Sequence, residues 1–230
     1  MKLSFLIAST AVGLAMAAGA AQAEVKPQVS VNVGVVSNYA FRGVSQTGNY
    51  DPAVQGGADL TYGVGYAGVW ASNVKFGNGT DAEVDLYGGV RPSLGGFSFD
   101  FGGIYYAYPG QPSGSDEGYF EFKAAGSHPI GPATLGAAVY YSPNFFGPGS
   151  LTGVYYEANL AVPVVKNVSL SGALGRQEVE GPGDYTTWNL GATWSFAKHL
   201  AVDVRYWDTD THSFGKIYGS RGVVGLKATF

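Results

Sequence analysis

Ala82-Glu83-Val84-Asp85-Leu86-Tyr87-Gly88-Gly89-Val90-Arg91 decides the fold. Even positions are apolar or glycine, and the odd set carries Glu83, Asp85, Tyr87 and Arg91. Neighbouring side chains of a strand point to opposite faces, so this segment presents one lipid-compatible face and one charged face. Its length is about what a tilted strand needs to cross a bilayer. A lysine or arginine facing lipid at the midplane costs roughly 2–4 kcal/mol. Val84, Leu86 and Val90 are therefore expected to meet lipid, with Glu83, Asp85 and Arg91 turned to a lumen.

The same alternation recurs on both sides. Phe97, Phe99 and Phe101 alternate with Ser98 and Asp100, and Phe120 and Phe122 with Glu121 and Lys123. Val154, Tyr156, Ala158 and Leu160 oppose Tyr155, Glu157 and Asn159, while Trp188, Leu190, Ala192, Trp194 and Phe196 oppose Thr187, Asn189, Thr193 and Ser195. Val202 and Val204 oppose Asp203 and Arg205, and Val224, Leu226, Ala228 and Phe230 oppose Lys227 and Thr229. The pattern predicts about twelve strands, near 28–42, 53–63, 65–75, 81–91, 96–108, 117–127, 132–142, 151–163, 166–177, 185–197, 199–209 and 221–230.

Connections alternate in length as well. Gly63-Val64-Gly65, Pro92 to Gly95, Ser127 to Gly131, Val164-Val165 and Lys198 are short; Gly43 to Pro52, Pro109 to Asp116, Pro143 to Ser150 and Asp210 to Ser220 are longer. Short periplasmic turns and longer outer loops mark outer-membrane barrels, and an even strand count puts both termini at the turn end. Strands can span a bilayer only if the sheet closes and leaves no unpaired edge. The expected fold class is all-β: a transmembrane antiparallel β-barrel of about twelve strands. Aromatic residues near segment ends (Tyr62, Tyr66, Trp194, Phe196, Tyr206) are expected at the membrane interfaces.

Composition agrees. Only 13% of residues are charged, about half the proportion of a soluble domain, and there is no cysteine. A basic start at Lys2, an apolar run from Leu3 to Ala18 and Ala21-Gln22-Ala23 resemble a secretory signal, placed at 1–23, with a barrel domain over 24–230. Loss of Lys2 takes the formal net charge from −4 to −5, which argues against a nucleic-acid partner.

Several stretches carry a family resemblance: Ser37-Asn38-Tyr39-Ala40-Phe41-Arg42-Gly43-Val44-Ser45-Gln46-Thr47, Pro52-Ala53-Val54-Gln55-Gly56-Gly57, Gly68-Val69-Trp70-Ala71-Ser72-Asn73-Val74, Glu83 to Gly89, and Asp100 to Gly110. They resemble a TorF-like or Gcw-type family of exported proteobacterial proteins that carry a porin designation. The resemblance runs along nearly the whole mature chain and is strongest before Gly126. It implies an outer-membrane barrel in a Gram-negative cell and little about substrate. Phe230, ending an alternating strand, resembles the terminal aromatic signal read by the barrel-assembly machinery; that role comes from the class.

Motifs for chemistry are sparse. His128 and His199 fall in expected periplasmic turns, which leaves His212 with Ser213 or Ser220 as the candidate nucleophile pair, with nothing around it to mark a nucleophile. No catalytic residue, cofactor or transition-metal ligand set is assigned. Asp81, Glu83 and Asp85 share a face and could hold calcium, but a solvated lumen wall partnered by Arg91 is the preferred reading. Gly56-Gly57, Gly88-Gly89 and Gly102-Gly103 fit no phosphate loop and are read as structural.

Function is therefore sought inside. The register turns Arg42, Asp59, Glu83, Asp85, Arg91, Asp100, Glu121, Lys123, Glu157, Asp203, Arg205 and Lys227 to the lumen, seven acidic and five basic. Tyr87, Tyr106, Tyr119, Tyr140, Tyr155 and Trp207 share that face and either stack a solute or fill a narrow barrel. Two functions follow: a diffusion channel for small hydrophilic solutes, which is favoured, or a closed barrel serving structure, adhesion or partner binding. Expected partners are outer-membrane lipid and lipopolysaccharide, the assembly machinery and small solutes.

Overall fold

The computed structural model describes residues 26–48, 50–146 and 151–230. The expected signal segment, with Glu24, lies outside the described residues. Among the described residues, twelve long strands close into one antiparallel barrel: β1 Gln28–Val36, β2 Ala53–Tyr62, β3 Gly65–Asn73, β4 Ala82–Val90, β5 Phe97–Ala107, β6 Tyr119–Ile130, β7 Ala133–Phe145, β8 Leu151–Val165, β9 Val168–Val179, β10 Tyr185–Ser195, β11 Leu200–Thr209 and β12 Arg221–Thr229. Each strand pairs with its neighbours in sequence. β1 closes the ring on β12, with Asn32 opposite Thr229 and Val36 opposite Gly225. No edge is left to expose unpaired backbone groups.

The alternation sets the two faces. Leu86 and Val90 are 54% and 44% exposed on the outside, whereas Glu83 and Asp85, two residues apart on the other face, are 2% and 6% exposed. Val29, Val31, Val33 and Val35 do the same for β1, and Leu160, Leu174 and Leu190 carry the apolar outer wall across β8, β9 and β10. An exposed aliphatic wall around a charged interior is inside-out for water and correct for lipid.

Short turns gather at one end, with Lys26 and Phe230, and longer connections at the other; we call these the turn end and the loop end. Leu94 pairs with Phe97 across Gly95-Gly96, whose φ angles of 60° and 83° suit the mirror-image two-residue turn that matches strand twist. The expected turn at Ser127 to Gly131 narrows to Gly131-Pro132, because Ser127 and His128 stay paired with Gly136 and Leu135. Likewise Val164-Val165 gives way to Lys166-Asn167, with Asn167 at a φ of 67°. Asparagine tolerates that left-handed conformation better than valine.

Two expectations are corrected. The first segment, expected as one strand over 28–42, stops at Val36. Ser37 then ties the chain to β12, its amide donating to Val224 O at 2.8 Å and its Oγ accepting from the Val224 amide at 3.0 Å, and the following residues leave the wall for the interior. Tyr66, expected at a membrane interface, points inward and donates to Asp100 at 2.7 Å. Parity decides this: Ala67 and Val69 hold the outer face of β3, so Tyr66 lies on the inner one. Tyr62, Trp194, Phe196 and Tyr206 are exposed on the outer wall.

Candidate functional site: the barrel lumen

The loop end of the lumen is built around a hairpin that belongs to no wall. Ala40 pairs with Ser45 and Phe41 with Val44, and the turn between them is Arg42-Gly43, with φ angles of 48° and 83°. Two successive positive φ values are what the two-residue hairpin turn demands. Polar side chains within the segment satisfy its own backbone and each other. Asn38 donates to Ser45 Oγ at 2.8 Å and Thr47 Oγ1 at 3.2 Å, and the Tyr39 amide donates to the same Thr47 oxygen at 3.2 Å. Such local bonding supplies partners to backbone and side-chain polar groups of a segment that has left the wall for the interior. A side chain at Gly43 would overlap Thr187 of β10, so the tip rests directly on the wall.

Arg42 carries the hairpin across the lumen. Its guanidinium donates to both carboxylate oxygens of Glu121 on β6, at 2.8 and 2.7 Å, and to Gln177 Oε1 on β9 at 3.1 Å. The rings of Tyr155, Phe41 and Tyr140 lie 4.3, 4.7 and 4.8 Å from its central carbon. Tyr106 adds a donor to Glu121 at 3.0 Å. Burying this ion pair costs solvation, and the fork-to-fork geometry, the extra donors and the ring faces offset that cost. Tyr39, on the stem of the hairpin, donates to Glu83 at 2.8 Å and packs edge-on against Trp70. Tyr106, Tyr108, Tyr119, Tyr140 and Tyr155 form one buried cluster with Phe41 and Phe76 against it. The inward tyrosines therefore fill the loop end, and Trp207 does the same beside Ala40.

Towards the turn end the lumen is polar and wetter. Asp100 receives Lys123 Nζ at 2.8 Å, Arg91 Nε at 3.2 Å and the Tyr66 hydroxyl. Asp203 accepts from Arg205 at 3.1 Å through each oxygen and from Thr193 at 2.7 Å. Arg205 also donates to Asn189 at 2.6 Å and Ser171 Oγ at 2.8 Å. Tyr87 donates to Asp59 at 2.7 Å, and Glu157 accepts from Tyr155 at 3.1 Å and Asn159 at 3.0 Å. Lys227 is half-buried on β12. Here Asp203 and Arg91 keep 26% and 24% side-chain exposure inside a closed wall, while Asp100, Lys123 and Arg205 are buried in their ion pairs.

The structure thus divides the twelve charged residues into two tiers. Arg42, Glu83, Asp85 and Glu121 stand at the hairpin; Asp59, Arg91, Asp100, Lys123, Glu157, Asp203, Arg205 and Lys227 stand below it. Arg42 reaches the interior from a hairpin turn, not from a strand. Arg91 does not partner Glu83 or Asp85: it lies at the far end of β4, about 20 Å along the strand from Asp85, and pairs with Asp100 instead. Among the described residues no three His, Cys, Asp or Glu groups converge to hold a metal, so Asp81, Glu83 and Asp85 do not form the calcium site that their spacing allowed. His212 Nε2 meets Asp208 Oδ1 at 2.7 Å on the 210–220 loop. Sequence reasoning missed the hairpin, and with it the parts played by Tyr39, Thr47 and Gln177. The available signal was Phe41-Arg42-Gly43-Val44, a glycine turn between apolar residues that fits a tight hairpin better than a strand interior.

These features define a transmembrane-type barrel with an apolar wall and a charged lumen narrowed from the loop end. Solved structures of similar fold include the KdgM porin, at a TM-score of 0.61 and 12% identity over 87% of this chain and 99% of that one. The NanC porin gives 0.58 at 9% identity, over 88% and 99%. An outer membrane channel from Pseudomonas putida F1 gives 0.54 at 13%, over 90% and 96%. At such identities the likeness is one of fold. Residues 20–230 match the family described as "Bacterial protein of unknown function (Gcw_chp)", and the chain belongs to that family. No curated protein matches the sequence.

Proposed function

We propose that this protein is an outer-membrane channel for passive diffusion of small hydrophilic solutes, with the Arg42 hairpin as its constriction. The observation that carries the reading is the turn-end lumen: Asp203 and Arg91 keep 26% and 24% side-chain exposure while the barrel encloses them and the outer wall is aliphatic. A barrel of this strand count is narrower than the sixteen-stranded porins that leave an aqueous channel, so selection falls to lumen side chains and to whatever stands among them. The fold shared with the KdgM and NanC porins supports the class and says nothing of the solute. In this reading lipid and lipopolysaccharide surround the wall, and Phe230 is the strand end engaged by the assembly machinery. No catalytic step is included, since His212 sits on an outer loop paired to Asp208, away from the lumen tiers.

Purified protein in a planar bilayer tests the proposal: discrete conductance steps are expected. One observation favours a second reading, a closed barrel, namely that the hairpin packs against walls on several sides. Complete absence of conductance would select it.

A further inference from the structure

The hairpin tier is not balanced in charge. Glu121 is taken up by Arg42 and Tyr106, and Glu83 accepts from Tyr39. Asp85 differs. It is 6% exposed on the inner face of β4, and its Oδ1 is buried with no hydrogen-bond partner. The other arginine at this end, Arg221, is occupied by the carbonyls of Ile217 and Gly219 and by Asn38. A buried carboxylate oxygen without a donor is expensive, and a cation held beside it would offset that cost. In register, Asp85 stands opposite Trp70 on β3 and Tyr106 on β5. A carboxylate between aromatic neighbours attracts a cation, and Arg42 shows the same chemistry nearby, held by Glu121 among three rings. Since no three ligating groups converge among the described residues, the site suits a singly held monovalent cation better than a chelated metal.

We propose that Asp85 anchors a binding site for a monovalent cation in the constriction and gives the channel a preference for cations; this rests on the channel reading above. The test uses the full-length protein in a planar bilayer under a KCl gradient, comparing the wild type with Asp85→Asn and, as a control, Asp184→Asn on an exposed loop. The wild type is expected to favour K+ over Cl−, Asp85→Asn to lose at least half of that permeability ratio, and Asp184→Asn to keep it. A wild type without preference, or an Asp85→Asn ratio equal to wild type, overturns the proposal. A second measurement separates the site from the channel. Tryptophan fluorescence is followed while KCl replaces N-methylglucamine chloride at constant ionic strength, with Trp70 as the reporter. A saturable change that Asp85→Asn abolishes supports the site even if no current flows, in which case the channel reading fails by itself. No change in the wild type overturns the site.

Discussion

Arg42 and Glu121, 79 positions apart in sequence, meet in a two-pronged ion pair that joins the tip of an inward hairpin to the β6 wall. Both side chains are almost fully buried, at 5% and 1% exposure. A pair of this kind contributes little net energy against an apolar replacement but is costly to break one-sidedly, by about 3–5 kcal/mol. Glu121→Gln should therefore lower the midpoint of denaturant unfolding clearly, with heat-modifiable gel mobility as the readout. Replacing both partners, Arg42→Met with Glu121→Leu, should recover much of the loss. Equal damage from the single and double changes would show that the pair is not what holds the hairpin.

Gly43 supplies a separate test of the same element. Its positive φ and its contact with Thr187 both exclude a Cβ, so Gly43→Ala should destabilise the hairpin by about 1–2 kcal/mol from the backbone term alone. Proteolysis within 37–48 should become faster in the folded protein. Unchanged protection would mean that the tip does not rest on β10.

Side-chain access provides the third expectation. Cysteine in place of Asp203, on the wet inner face, should react with a small water-soluble thiol reagent, and cysteine in place of Val204, exposed on the outer wall, should be shielded by lipid. Cysteine in place of Asp85 should react slowly, because that position is buried at 6% exposure, and faster when Gly43→Ala is added. Equal labelling at 203 and 204 would refute the register.

At the turn end, Phe230 exchanges backbone hydrogen bonds with Val31 at 2.9 and 3.1 Å and stacks on His199, while its ring stays exposed. Deleting Phe230 removes few buried contacts, so barrel stability after refolding in detergent should change little. Assembly into the outer membrane in cells should fall strongly. Normal membrane levels of the deletion would contradict an assembly role.

The barrel was legible because its determinant is local. Alternation over ten-residue segments such as Ala82 to Arg91 fixes strand, face and span together, and closure follows from the need to pair every edge. The interior was only half legible. Strand parity puts Asp100, Lys123, Asp203 and Arg205 inside, but who pairs with whom depends on the stagger of the strands, which no single segment encodes. Arg91 shows this: it has carboxylates on its own strand, yet its partner is Asp100 on β5. The hairpin was hidden for another reason. Tyr39 to Arg42 reads as the tail of the first strand, and only the long-range partners Glu83, Glu121 and Gln177 draw it into the lumen.

The central claim, a channel constricted by the Arg42 hairpin, is tested most directly by single-channel conductance of the wild type beside a variant whose residues 39–46 are replaced by a short glycine-serine link. The wild type should give small, uniform steps and the variant steps several-fold larger. Equal conductance in the two, or none in either, would contradict the account.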